Sequence, residues 1–227
     1  NTTANNTNYT ITGVMKDGTT TTPQNINWIG GYNGAPTTPI SIARYWLFKF
    51  DNYANAYANW AQISETSQIR VGQGFTMKGS GAVSGTQNYT FVGKPNNATI
   101  TSAIGPNNLN LIGNPYACPV DMSNTSNVIM NNIATTVYVW DPTIAGANPL
   151  NTGGYASFQT TSWNAGPNTG GTTKFFQSGQ GFFLQPTSAT ASITFNESNK
   201  STSSNNNTQT TGTINSSTDL FNIKLFA

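Results

Sequence analysis

Histidine is missing from this chain, cysteine occurs once, and charge is scarce. Without histidine there is no Ser–His–Asp or Cys–His nucleophile and no zinc site of the ordinary kind. The single cysteine, Cys118, excludes a disulfide framework within the chain and reads as a small buried apolar residue. Charged residues make up 7% of the sequence, against about a quarter in an average globular domain. The nine Lys and Arg are scattered, so no basic stripe exists for nucleic acid. No basic amphipathic segment suits a membrane surface, and no apolar run reaches the roughly 20 residues of a membrane-spanning helix. No signal-type segment opens the chain, which reads as a mature product or a piece of a longer protein. The seven Asp and Glu include no recognisable acid/base pair, so the expectation is a protein that is not an enzyme.

What is plentiful is Asn, Thr, Gly and aromatic residues. Thr and aromatics suit a pleated sheet, and Asn and Gly suit turns. Their arrangement repeats. Leu47-Phe48-Lys49-Phe50-Asp51 is matched by Val137-Tyr138-Val139-Trp140-Asp141, and Val71-Gly72-Gln73-Gly74-Phe75-Thr76-Met77 by Ser178-Gly179-Gln180-Gly181-Phe182-Phe183-Leu184. Tyr89 to Gly93 is matched by Ile193 to Glu197, and Trp28 to Tyr32 by Leu111 to Tyr116. Matching landmarks lie roughly 80 to 110 residues apart, in the same order, as tandem units would place them. The repeated positions suit backbone geometry and burial rather than catalysis.

Many short strands, glycine turns and few helix formers predict an all-β, antiparallel sandwich or jelly-roll-like fold in two related halves. Residues 1–8 read as a flexible arm, 9–105 as the first half or domain and 106–197 as the second. Residues 198–218 are a Ser/Asn/Thr-rich loop or linker, and 219–227 a terminal strand. Strands are expected at Tyr9–Met15, Arg44–Phe50 and Leu220–Phe226, with Trp60–Ile63 closing a hairpin. Asp121 to Ile133 is the best candidate for a short helix, and Pro142 to Gly154 for a long loop. Phe75, Phe91, Trp140, Phe182 and Phe195 alternate with polar residues and are expected in the cores.

The run Leu111-Ile112-Gly113-Asn114-Pro115-Tyr116, then Val137 to Asp141, Gly153-Gly154-Tyr155-Ala156 and Gly179 to Leu184 resembles a known module. It is the β-rich module of large type IX-secreted cell-surface proteins of the Bacteroidota, notably flavobacteria. The resemblance covers roughly residues 40–200. It implies surface display in adhesion, an extracellular fibre or a matrix, and brings neither a catalytic mechanism nor a defined ligand. Ala117-Cys118-Pro119 after the Asn-Pro-Tyr, and Lys200 where an Arg often follows the last strand, depart from the pattern.

Gly72, Gly74, Gly113, Pro115, Gly179 and Gly181 read as structural turn residues. Phosphate binding at the Gly-Gln-Gly turns would need a helix behind them. Asp51, Asp121 and Asp141 sit at strand ends, where capping is the common role and a structural calcium site stays open; no other cofactor is implied. The best functional material is aromatic: Tyr53, Tyr57, Trp60 and Trp163, with Tyr32 and Phe175, lie in or beside loops and could stack on sugars. The expectation is therefore a non-catalytic extracellular module of adhesion or of a surface appendage. A carbohydrate-binding module and an accessory domain of a secreted hydrolase are the alternatives. Expected partners are neighbouring modules, copies of the same protein and surface glycans, without nucleic acid or membrane insertion.

Overall fold

The computed structural model describes residues 5–50, 60–81, 87–106, 108–126, 128–145, 152–162, 173–202 and 221–222. They form an all-β protein. The strands run β1 (Tyr9–Thr10), β2 (Met15–Asp17), β3 (Gln24–Asn25), β4 (Asn27–Ile29), β5 (Ser41–Ala43), β6 (Phe48–Phe50), β7 (Trp60–Gln62), β8 (Gln68–Ile69), β9 (Met77–Lys78) and β10 (Tyr89–Phe91). They continue with β11 (Ile100–Ala103), β12 (Asn110–Gly113), β13 (Val120–Asp121), β14 (Val128–Asn131), β15 (Ile133–Ala145), β16 (Thr152–Gln159), β17 (Phe175–Phe176), β18 (Gly181–Pro186), β19 (Ser192–Phe195) and β20 (Phe221–Asn222). One helical turn, α1 (Ile11–Val14), joins β1 to β2. Among these strand pairs all are antiparallel except β4 with β5.

The repetition in the sequence reappears as matched register. Tyr138 faces Phe183 across β15 and β18, and the corresponding Phe48 faces Thr76. Trp140 faces Tyr155 in the β15–β16 hairpin, as Phe50 faces Trp60 in β6–β7. Val128 faces Phe195 in the outer sheet, as Met15 faces Phe91. Val120 faces Phe176 just before the second glycine turn, as Tyr9 faces Ile69 before the first. The landmark pairing of Trp28–Tyr32 with Leu111–Tyr116 fails. β4 pairs in parallel with β5, whereas β12 pairs antiparallel with β18. Tyr32 is 62% exposed and Tyr116 wholly buried.

Each half has its own core. Ile11, Met15, Ile40, Ile42, Leu47, Ile69, Phe75 and Met77 build the first. Tyr116, Val137, Val139, Phe158, Phe176, Phe182 and Phe195 anchor the larger second core. Phe50, Leu111 and Phe183 close a third cluster where the halves meet. There the Gly74 N–H donates to the Leu111 carbonyl and the Gly113 N–H to the Gly72 carbonyl, both at 2.9 Å. β12 thus has β18 on one edge and the first glycine turn on the other. β11, which precedes the expected division at 105/106, pairs with β19 of the second half.

Several expectations are corrected. Tyr9–Met15 is not one strand: the Thr10 hydroxyl accepts the Gly13 N–H at 3.1 Å and caps the single turn of α1. Asp121–Ile133 is not a helix. Asp121 Oδ1 takes the Ser123 N–H in a tight turn, and Val128–Asn131 pairs with β19, a tertiary contact that outweighs local preference. Arg44–Trp46 is a 3-10 turn, so the strand starts only at Phe48. The loop expected over Pro142–Gly154 is largely strand, because a bulge lets the β15–β16 ladder resume at Ala145↔Thr152. Residues 5–6 are not a free arm: Asn5 Nδ2 donates to Asn97 Oδ1 and the Asn6 N–H to Asn96 Oδ1, each at 2.6 Å. The Trp60 hairpin forms as expected. Of the terminal strand only Phe221–Asn222 lies within the described residues, and it pairs with β9.

Candidate functional site

The glycine turns are built alike. The Gln73 N–H donates to the Arg70 carbonyl and the Gln180 N–H to the Gln177 carbonyl, both at 3.0 Å. Gly72 and Gly179 sit at the third position with φ of 77° and 70°, the geometry of a type II turn. Each glutamine folds back. Gln73 Oε1 accepts the Arg70 N–H at 3.2 Å, and Gln180 Oε1 the Gln177 N–H at 2.6 Å. Both amides are buried, so the turns offer structure rather than a ligand cradle. Gly74, Gly113 and Gly181 do not take the left-handed conformation; they lie in the pairing around β12, with Gly113 facing Gly181. Pro115 follows Asn114, whose buried amide accepts the Tyr116 N–H and donates to the carbonyls of Cys118, Phe176 and Gln177. The Tyr116 hydroxyl reaches the Ala98 carbonyl at 2.6 Å. Its burial, reinforced by Glu197, pushes its pKa up to about 12. Cys118 is half-buried against the second core, and that burial raises its thiol pKa.

The carboxylates do not gather. Asp121 pairs with Lys174 at 3.2 Å and accepts from Ser123, and the side chains of Asp51 and Asp141 lie outside the described residues. Among the described residues no group of three His, Cys, Asp or Glu side chains converges. Of the sugar-stacking candidates, Tyr53, Tyr57 and Trp163 also lie outside the described residues. Trp60 is spent on the seam between the halves, 4.9 Å from the Phe50 ring centroid and 6.1 Å from that of Phe183.

An aromatic patch forms elsewhere. Ala43 and Leu47 are buried at either end of the 3-10 turn, which pushes Arg44 and Tyr45 to the surface. The Tyr45 ring stands edge-on to Tyr32 at 4.6 Å and to Trp46 at 5.0 Å, with Phe48 at 6.4 Å. Tyr32 is 62% exposed and Tyr45 42%. The patch is held from below by hydrogen bonds. Trp46 Nε1 donates to the Tyr32 carbonyl at 2.7 Å, Gln62 Nε2 to the Tyr45 carbonyl at 3.0 Å, and the Thr76 hydroxyl to the Trp46 carbonyl at 2.9 Å. Arg44 grips Glu65 through two nitrogens and the Trp28 carbonyl through one. Lys78 Nζ lies 5.5 Å from the Trp46 ring and donates to Asn33. Aromatic rings on a braced turn, rimmed by amides and two cations, can stack on an apolar ring face and hydrogen-bond its hydroxyls.

Sequence reasoning named Tyr32 but assigned Tyr45 and Trp46 to a buried strand. The signal was there: Arg44-Tyr45-Trp46-Leu47-Phe48 packs bulky residues consecutively, and a strand can turn only alternate ones inward. The other concavity, where Phe91 and Lys94 meet Pro115 and Gly179, encloses about 120 Å³, well short of the ~300 Å³ at which ligand pockets begin.

Fold and site define a duplicated all-β module with one exposed aromatic patch. The chain belongs to the family described as a domain of unknown function (DUF8693), whose model matches residues 1–220. No curated protein and no solved structure matches the chain.

Proposed function

We propose that this protein is a non-catalytic, secreted cell-surface module that acts in adhesion and grips neutral glycans through Tyr32, Tyr45 and Trp46. The observation that carries this reading is the exposure of Tyr32 and Tyr45 on a turn braced by buried neighbours. An exposed aromatic pair is costly to leave in water unless something covers it, and the bracing keeps the rings in place before a ligand arrives, which lowers the entropy lost on binding. Asn33 and Gln62 supply amides beside the rings, and the 7% charge leaves the surroundings close to neutral. The resemblance to Bacteroidota surface modules agrees with an extracellular setting.

The test is a glycan array followed by titration calorimetry on any ligand found. The Tyr32→Ala/Tyr45→Ala double variant should lose affinity by about tenfold or more, the loss of one to two stacked rings, while its melting temperature stays close to that of the parent. A parent that binds no neutral glycan, or a double variant that binds equally well, removes this reading.

A further inference from the structure

We propose that the free edge of β9 is a strand-docking slot, and that a second copy of this chain supplies the strand that fills it. The argument starts from the repeat. In the second half β18 is covered on one edge by β12, with Asn110 facing Leu184 and Leu111 facing Phe183. The counterpart of Leu184 is Met77, and the residue facing Met77 is Asn222. β20 therefore stands in the first half where β12 stands in the second, with the same antiparallel sense and an asparagine at the same place. The short sequences agree as well: Phe221-Asn222-Ile223 against Leu109-Asn110-Leu111. The Thr76 N–H already donates to the Phe48 carbonyl on one side, and successive residues of a strand direct their polar groups to opposite edges. Met77 thus offers the other edge, where β20 lies.

The two covering strands differ in how they are tied. β12 leads into β13 of its own half and is fixed on both edges, by β18 and by the first glycine turn. β20 reaches the first half from beyond the second, across residues 203–220, which are almost all Ser, Asn, Thr and Gln. A flexible tether of that length spans roughly 20–25 Å root-mean-square, enough to serve its own slot or one on a neighbouring copy. Strand addition is recognised by backbone hydrogen bonds and needs no charged partner. The exchanged form keeps every contact of the closed form, so only association entropy separates them. Because slot and strand are different surfaces of one chain, exchange does not close on itself and leads to head-to-tail chains.

Single-cysteine variants test this in the full-length chain, on a Cys118→Ala background. Lys78 faces Phe221 in the ladder, at a spacing a disulfide can bridge. The Lys78→Cys/Phe221→Cys double variant should oxidise to a cross-linked monomer at low concentration and to a reducible ladder at high concentration. A mixture of Lys78→Cys chains with Phe221→Cys chains should give a disulfide dimer about tenfold above a control mixture of Lys78→Cys with Thr101→Cys, increasing with concentration. Met77→Cys with Asn222→Cys repeats the test at the adjacent rung, so that a folding defect at one position does not decide it. A double variant that never cross-links shows that the strand does not use the slot. Cross-linking only within single chains up to millimolar concentration shows that no second copy supplies it. Either result overturns the proposal and leaves the glycan reading untouched.

Discussion

At the scale of single residues, buried polar groups fix the shape of the turns. Asp17 is 1% exposed, and its carboxylate accepts from the Thr19 N–H, the Thr19 hydroxyl and the Ile40 N–H. Burial alone would push its pKa up; the three donors outweigh it and hold the carboxyl below its ordinary value. The unfolded chain, with an Asp pKa of about 3.9, therefore binds the proton more readily than the folded protein. The stabilisation from Asp17 is complete above that value and is lost as pH falls through the lower folded-state pKa. The Asp17→Asn variant should be less stable at pH 7 by about 1–3 kcal/mol, since two backbone donors lose a charged acceptor. That difference should shrink at pH 3. Urea midpoints for both proteins at the two pH values measure it, and a difference independent of pH would contradict the account. Gly72 carries a different constraint. Its φ of 77° suits glycine, and an added Cβ would sit 2.4 Å from Ser102 Oγ.

At the scale of elements, sheet position decides what the same residue is worth. Phe195 and Phe91 occupy matched places in the repeat, yet Phe195 is fully buried and Phe91 is 43% exposed. The alternating pattern placed both in the cores. It failed for Phe91 because β10 is an edge strand of β10-β2-β3, whereas β19 is central between β11 and β14. The pattern held for Phe75 and Phe182, and Trp140 lies against Tyr155 at 5.2 Å. Phe195→Ala should cost about 3–5 kcal/mol. Phe91→Ala should cost about 1 kcal/mol or less, the value of one exposed cross-strand pair. Chemical denaturation of the two variants tests the contrast; equal costs would mean that strand position does not govern the difference.

At the scale of the whole molecule, the halves are joined rather than strung together. β12 hydrogen-bonds to both, and Leu111, 1% exposed, packs between Phe50 of the first half and Phe183 of the second. The parent should therefore unfold in a single calorimetric transition. Leu111→Ala should cost about 2–5 kcal/mol and, by loosening the seam, separate the melting of the halves into two steps. Two transitions in the parent would show that the seam does not couple them.

The sequence by itself determined the all-β class, the duplication and the two glycine turns. These rest on local chemistry: β-formers in alternating runs, glycine where a turn needs positive φ, and a matched order of landmarks. Only the tertiary structure decided which aromatics face water. Tyr45 is exposed because a 3-10 turn interrupts what reads as a strand, and Trp60 is covered because Phe183 reaches it from more than a hundred residues away. It also decided that the counterpart of β12 is β20 and not β4. Pairing between segments so distant depends on which edges the fold leaves open, and an edge is a property of the assembled sheet that no single segment carries.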